Sequence, residues 1–186
     1  IVLPGTTEEV AAIMRIAAQA CRPVVARGAG TGLSGGAVPP PGSILVVLTR
    51  MNEIDTVDEV GRTAWVGPGV INLDLSNTLA GRGLHFAPDP SSQQSSTVGG
   101  NAATNAGGPH CLAEGSTNAH VLGVEVVTSD GDVVVLGGAA PDLPGYDLRG
   151  LIVGSEGTLG IITRVLVRLT ENPPDVAPML VAFDDI

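Results

Sequence analysis

Lysine is absent from this chain, aromatic residues make up 2% of it, and cysteine occurs only at Cys21 and Cys111. Each shortage excludes something. Without lysine there is no Walker-type loop, because that loop needs a lysine to reach the β- and γ-phosphates. Two cysteines in no metal-binding spacing give neither a disulfide framework nor a zinc site, so both are expected as small buried fillers. His85, His110 and His120 likewise show no spacing that would hold a metal. No apolar run approaches the length of a membrane span, and Arg15 interrupts the most hydrophobic helical stretch. Basic charge is scarce as well: nine Lys and Arg stand against nineteen Asp and Glu, for a net charge of −10 and a pI near 4.5. That balance argues against a nucleic-acid partner. No secretory leader is read, since Ile1 opens directly into what reads as a folded domain, and the missing initiator methionine suggests a fragment.

What the chain has in excess is glycine, 26 of 186 residues, within a composition that is 44% hydrophobic. The length and apolar content suffice for one domain or two small subdomains. Many glycines and few aromatics favour tight loops and small-residue packing around something flat.

The glycines concentrate first in Pro23–Ala37, PVVARGAGTGLSGGA. Val24 to Ala26 reads as a short strand, after which Gly28, Gly30, Gly32, Gly35 and Gly36 leave few side chains in the way. Such a loop lets backbone N–H groups converge on an anion, and a phosphate or pyrophosphate is the expected guest. A plain glycine-rich turn is the alternative, and Arg27 directly after the strand favours the anion site. Gly30-Thr31-Gly32-Leu33-Ser34-Gly35 also satisfies the pattern G-x-G-x-x-G. A Rossmann site, however, needs a helix opening straight after the glycines. Here they run into Val38-Pro39-Pro40-Pro41-Gly42, which cannot form the first turns of a helix. The Rossmann reading is therefore excluded.

Around this loop the pattern predicts a helix from Thr6, its N-cap in a capping box with Glu9, with Val10, Ile13, Met14, Ala17 and Cys21 on one face. A second strand at Ile44–Leu48 completes a small α/β unit. Short strands follow at Ile54–Val57 and Thr63–Val66, with Trp65 expected in the core. A helix is read from about Asn72 to Ala80, with Arg82 and His85 near its C-terminal end. His120–Thr128 and Asp132–Leu136, joined by Ser129-Asp130-Gly131, predict a β-hairpin. Gly137–Pro144 reads as a loop and Asp147 as the start of a short helical turn.

Two further stretches carry chemistry. Pro88-Asp89-Pro90 leads into SSQQSSTVGGNAATNAGG, ending at Gly108, a run of low helix and strand propensity. A linker is the bland reading. Asn101, Thr104 and Asn105 between paired glycines could instead hydrogen-bond a flat polar ring, and the run recovers directly into a strong strand. The other stretch is Val153–Thr163, VGSEGTLGIIT, where Glu156 is read as bonding loop N–H groups or a ribose hydroxyl rather than as a catalyst.

These three stretches together resemble the FAD-binding domain of the vanillyl-alcohol-oxidase/p-cresol-methylhydroxylase (PCMH) type. Within it the resemblance is to the glycolate oxidase FAD-linked subunit, D-lactate dehydrogenase and D-2-hydroxyglutarate dehydrogenase group. The resemblance implies an α+β fold: a small α/β subdomain over 1–52 and a larger, mainly antiparallel β subdomain with helices over 53–170. Residues 171–186 would form a linker and the first strand (Met179–Ile186) of a substrate domain, which in that family supplies a catalytic histidine and often a metal site. It implies FAD as cofactor. Arg27, Gly28, Ala29, Gly30, Thr31, Gly32, Leu33 and Gly36 would hold the pyrophosphate. Pro88, Asp89, Ser95, Ser96, Gly99, Gly100, Asn101, Thr104, Asn105 and Gly107 would line the isoalloxazine and ribityl region, with Gly115 and Val121 nearby. Glu156, Gly157, Gly160, Ile161 and Ile162 would approach the adenine side. Thr31 stands where some relatives carry a flavin-linked histidine, so the FAD is expected to be non-covalent. Ala113, Glu114 and Asn118 depart from the family pattern, and no role is transferred to those side chains.

The resemblance thus implies the FAD domain of an enzyme passing a hydride from a D-2-hydroxy acid to flavin, in the cytoplasm or peripheral to the inner face of a membrane. The alternatives are an FAD-carrying scaffold subunit of a multi-subunit oxidase, or a non-redox flavoenzyme like the alkyl-glycerone-phosphate synthases. Partners beyond FAD would be the hydroxy acid, other oxidase subunits or an electron acceptor.

Overall fold

The computed structural model describes residues 1–140 and 144–183. Helix α1 (Thr7–Gln19) begins where its caps predict: Thr6 Oγ1 accepts from the Glu9 N–H at 3.2 Å, and Glu9 Oε2 accepts from the Gly5 N–H at 2.6 Å. The carboxylate therefore reaches back one residue further than a standard capping box does. Glu8 in the same turn is held below the ordinary carboxylate range by its own backbone N–H and by Thr6. That contribution to the helix is lost as pH falls through the lowered value. Val10, Ala11, Met14 and Ala17 are buried, as the helical spacing requires. Cys21 is not: it is exposed, in the left-handed conformation (φ 49°) that turns the chain out of the helix before Pro23. Cys111 is only half-buried, so neither cysteine is the buried filler that composition suggested.

Strand β1 (Val24–Arg27) lies parallel to β2 (Ile44–Val47), and the glycine loop joins them without a helix. α1 packs on this pair, burying Val10 and Met14 against Val46, Leu48 and Met51.

The larger layer is a five-stranded antiparallel sheet. Its order is β3 (Ile54–Asp58), β4 (Thr63–Val66), β8 (Ile161–Arg168), β6 (Val121–Val127), β7 (Val133–Gly137). The predicted hairpin is β6–β7, turning at Gly131 with φ 82°. Leu75 and Leu79 of α2 (Asn72–Leu79) are fully buried on this sheet beside Val66, Val124, Val165 and Val167. Trp65 is not part of that core. On β4 the inward positions belong to Ala64 and Val66, and Trp65 faces outward with the Arg164 guanidinium 4.9 Å over its ring. His85 follows the helix in β5 (Leu84–His85), and its Nδ1 meets Asn172 Oδ1 at 3.0 Å. β5 pairs with β9 (Thr170–Glu171).

Two departures concern whole segments. The low-propensity run after Pro88 contains helix α3 (Val98–Thr104), capped by Thr97 and closed by Asn105 at φ 47°. Residues 179–183, expected as a strand, form none, and 184–186 lie outside the described residues, as do 141–143 of the predicted 137–144 loop. Among the remaining elements are α4 (Cys111–Glu114) and α5 (Leu148–Ile152), the latter capped by Asp147 as predicted.

One polar strut ties α1 to the sheet. Glu125 Oε1 accepts from Thr7 Oγ1 at 2.7 Å and from Thr163 Oγ1 at 2.8 Å. Glu125→Ala removes both hydrogen bonds and is expected to cost about 1–3 kcal/mol of stability, read as a lower urea midpoint.

Candidate functional site

The three glycine-bearing stretches meet along one cleft. Their contacts explain why glycine is needed. A Cβ placed on Gly28 would lie 2.3 Å from Thr97 Oγ1, so the first loop rests directly on the N-cap of α3. That cap is itself occupied, with Thr97 Oγ1 accepting from the Gly100 N–H at 3.2 Å. Gly36 faces the third stretch: a Cβ there would lie 2.6 Å from Glu156 Oε2. The third stretch is pinned to α3 in turn, because the Gly154 and Glu156 N–H groups donate to the Ala102 and Ala103 carbonyls at 2.9 and 2.8 Å. Glu156 takes a left-handed turn (φ 53°) to make that approach.

Arg27 folds back over the first loop, where a Cβ on Gly30 would lie 2.4 Å from its Nη2. Arg27 and Glu156 both line the cleft, and among the described residues neither makes an ion pair. The cleft thus presents one guanidinium beside a loop of nearly bare backbone, a setting that suits an anion. Deeper, Asn101 is 2% exposed and its Nδ2 finds no acceptor among the described residues. Asn72, Ser96 and His120 also carry buried atoms without a partner, yet only Asn101 of these lines the cleft. A buried amide donor left unpaired costs about 1–3 kcal/mol, so a ligand acceptor there has an evident use.

The predicted residues divide clearly. Arg27, Gly28, Ala29, Gly30, Thr31, Gly32 and Gly36 line the cleft from the first loop. Gly99, Gly100, Asn101 and Thr104 line it from α3, and Glu156, Gly157, Gly160 and Ile162 from the third stretch. The others lie elsewhere. Leu33 projects fully into solvent, Val121 is buried in the larger core and Ile161 in the smaller one. Pro88 offers its carbonyl to Asn72, and Asp89 Oδ2 meets His110 Nδ1 at 2.5 Å. Ser96 is buried and Ser95 exposed, neither on the cleft. Asn105 caps α3 and accepts from the Asn118 N–H, Gly107 packs on Cys111 Sγ, and Gly115 closes α4.

Seven lining residues are not among those named from the sequence: Ala26, Ser34, Ala37, Leu48, Pro68, Thr97 and Ala103. Pro68 had a signal in Gly67-Pro68-Gly69. Cβ atoms on those glycines would fall 2.2 and 2.5 Å from the Met51 and Leu48 carbonyl oxygens, so the segment is pressed against the end of the first lobe. Thr97 had the signal of an N-cap before small residues.

A family model described as an FAD binding domain matches residues 1–137. The glycolate oxidase subunit GlcD of Escherichia coli (strain K12) is 48% identical over 186 residues, covering 100% of this chain and 37% of the relative. A D-lactate dehydrogenase of Archaeoglobus fulgidus is 41% identical, over 98% of this chain and 41% of the relative. A D-2-hydroxyglutarate dehydrogenase of Xanthomonas citri pv. viticola is 41% identical, over 98% and 39%. Among solved structures, an alkyldihydroxyacetonephosphate synthase superposes with a TM-score of 0.82 at 29% identity, covering 94% of this chain and 32% of that one. The chain therefore spans about two fifths of the curated relatives it matches.

Proposed function

The chain belongs to the FAD-binding domain family, with FAD as its cofactor, and on that premise we propose that it is the flavin-holding part of a D-2-hydroxy-acid dehydrogenase or oxidase. The observation that carries the placement is the convergence of three glycine stretches on one cleft with a buried, unpaired Asn101 amide inside it. Bound flavin supplies the hydride acceptor for conversion of the hydroxy acid to the 2-oxo acid.

The chain's own part is binding and orientation. Arg27 and the backbone N–H groups of Gly28–Gly36 take the pyrophosphate, offsetting locally the field of a molecule with net charge −10. Asn101 donates to a flavin acceptor, with Gly100 and Thr104 beside it on the cleft. Gly157 to Ile162 border the adenine side. Thr31 offers no nucleophile able to form the histidyl link, so the cofactor is held non-covalently. In this reading residues 1–52 and 53–170 are the two halves of the flavin site and 171–186 lead onward. No helix among the described residues is long and apolar enough to cross a membrane. A cytoplasmic or membrane-peripheral setting is part of the proposal, as are further oxidase subunits, which the word "subunit" in the E. coli relative's name supports.

Asn101→Leu separates binding from folding. It removes an unpaired donor at similar volume, so the FAD-free protein should be as stable as wild type or more so. FAD affinity should fall about tenfold, by the loss of one buried hydrogen bond. Thermal melts without FAD and a fluorescence titration with it check both halves. The activity itself is tested on the FAD-loaded whole protein under anaerobic conditions. D-lactate or glycolate should bleach the flavin and L-lactate should not; no bleaching by any D-2-hydroxy acid would sink the substrate assignment. The fold likeness to a synthase favours a second reading, flavin-assisted group exchange without net redox change, which predicts that same absence of bleaching with FAD still bound.

A further inference from the structure

The five-stranded sheet ends in two edges of opposite character. β3 carries Asp55 and Asp58 and a register shift between Ile54 and Thr56. Charge and irregularity of that kind protect an open edge from pairing with another chain. β7 has neither. Its sequence Val133-Val134-Val135-Leu136-Gly137 contains no charge and no proline, and it pairs with β6 in unbroken register. Val133, Val134 and Val135 are 48%, 38% and 56% exposed. Successive side chains point to opposite faces of a sheet, so apolar surface is open on both faces as well as at the edge. A strand of this kind is a template for another strand.

We infer that β7 pairs with β7 of a second copy, antiparallel about Val135, joining two five-stranded sheets into one. Two features favour a second copy as the occupant. Centred on Val135, the pairing sets Val133 against Gly137 and Val134 against Leu136, so no charged side chains meet across the axis of a strongly acidic molecule. α5 lies beside the Gly137 end, where a Cβ on Gly137 would be 3.3 Å from Arg149 Cδ, and its Leu148 and Leu151 are exposed. The two-fold operation brings those leucines toward the Val133 end of the facing strand, apolar against apolar. β7 contributes nothing to the flavin cleft, so this interface stands independently of the flavin assignment.

Sedimentation equilibrium of the purified chain tests it. At high micromolar protein the wild type should appear at twice 18.7 kDa. Val135→Arg sets like charges against each other at the axis and should raise the dissociation constant at least about tenfold. Mixing it with Val135→Glu should restore the dimer. Both variants should keep the wild-type circular dichroism and FAD content, because the position is exposed and outside the cleft. A monomeric wild type, a dimer indifferent to Val135→Arg, or open-ended association in place of a closed pair would overturn the inference.

Discussion

Gly30→Val strips the protein of FAD while leaving the fold standing. Gly30 has φ +77°, a conformation that costs a β-branched residue more than the roughly 1–2 kcal/mol paid by an ordinary one. The loop must therefore rebuild around a valine. Arg27 must also move, because the new Cβ would fall within 2.7 Å of its Nη2, Nε and Cζ atoms. Both components of the proposed pyrophosphate site, loop N–H groups and guanidinium, are displaced by one substitution. Gly30 is exposed and absent from both hydrophobic clusters, so the core has no reason to notice. The expected result is flavin occupancy at least about a hundredfold harder to reach, from the loss of two or more charge-assisted hydrogen bonds. The urea midpoint should shift little. Full flavin content in purified Gly30→Val would show that the pyrophosphate lies elsewhere.

Gly99→Val should act the other way round, on the fold first. Gly99 lies in α3, where a Cβ would sit 2.4 Å from Pro68 Cβ, 2.8 Å from its Cα and 2.9 Å from its carbonyl oxygen. Those are mostly backbone atoms, and the Gly99 N–H already donates to that same oxygen at 3.0 Å. A valine can be accepted only by prising α3 from the Gly67–Gly69 segment. That movement disturbs Val98 and Ala102, both fully buried in the larger core. A loss of more than about 3 kcal/mol is expected, at the severe end for a single core substitution. The observable is a large drop in melting temperature, with or without FAD. A variant of wild-type stability would mean that α3 is not packed on Pro68.

Why these two glycines differ could not be read from the sequence, where both sit in glycine-rich runs. The first loop was legible because its context is local: a strand before it, Pro39 to Pro41 after it, and no route to a helix. The hairpin of β6 and β7 was legible for the same reason, its turn residues lying between two strand-forming runs. α3 was not. Propensity judges VGGNAAT as an isolated segment, and there the glycines weigh against a helix. In the folded chain Gly99 is what lets the helix approach Pro68, and Gly28 lets the first loop rest on the helix cap, while Thr97 and Asn105 secure its ends. Packing overrides propensity at that point. Trp65 and Cys21 differ from expectation because hydrophobicity alone does not decide burial; strand alternation and the helix stop decide where each points. Leu48 and Pro68 line the cleft through contacts between distant segments, which no local pattern announces.

The measurement closest to the central claim is the visible absorption spectrum of the chain after incubation with FAD and removal of the free cofactor, repeated after acid precipitation. A two-band flavin spectrum is expected on the native protein, with all of the colour in the supernatant after acid. Colour retained by the precipitate would contradict the non-covalent role given to Thr31. A colourless protein, both as this chain and at the full length of its relatives, would contradict the assignment of the cleft to flavin.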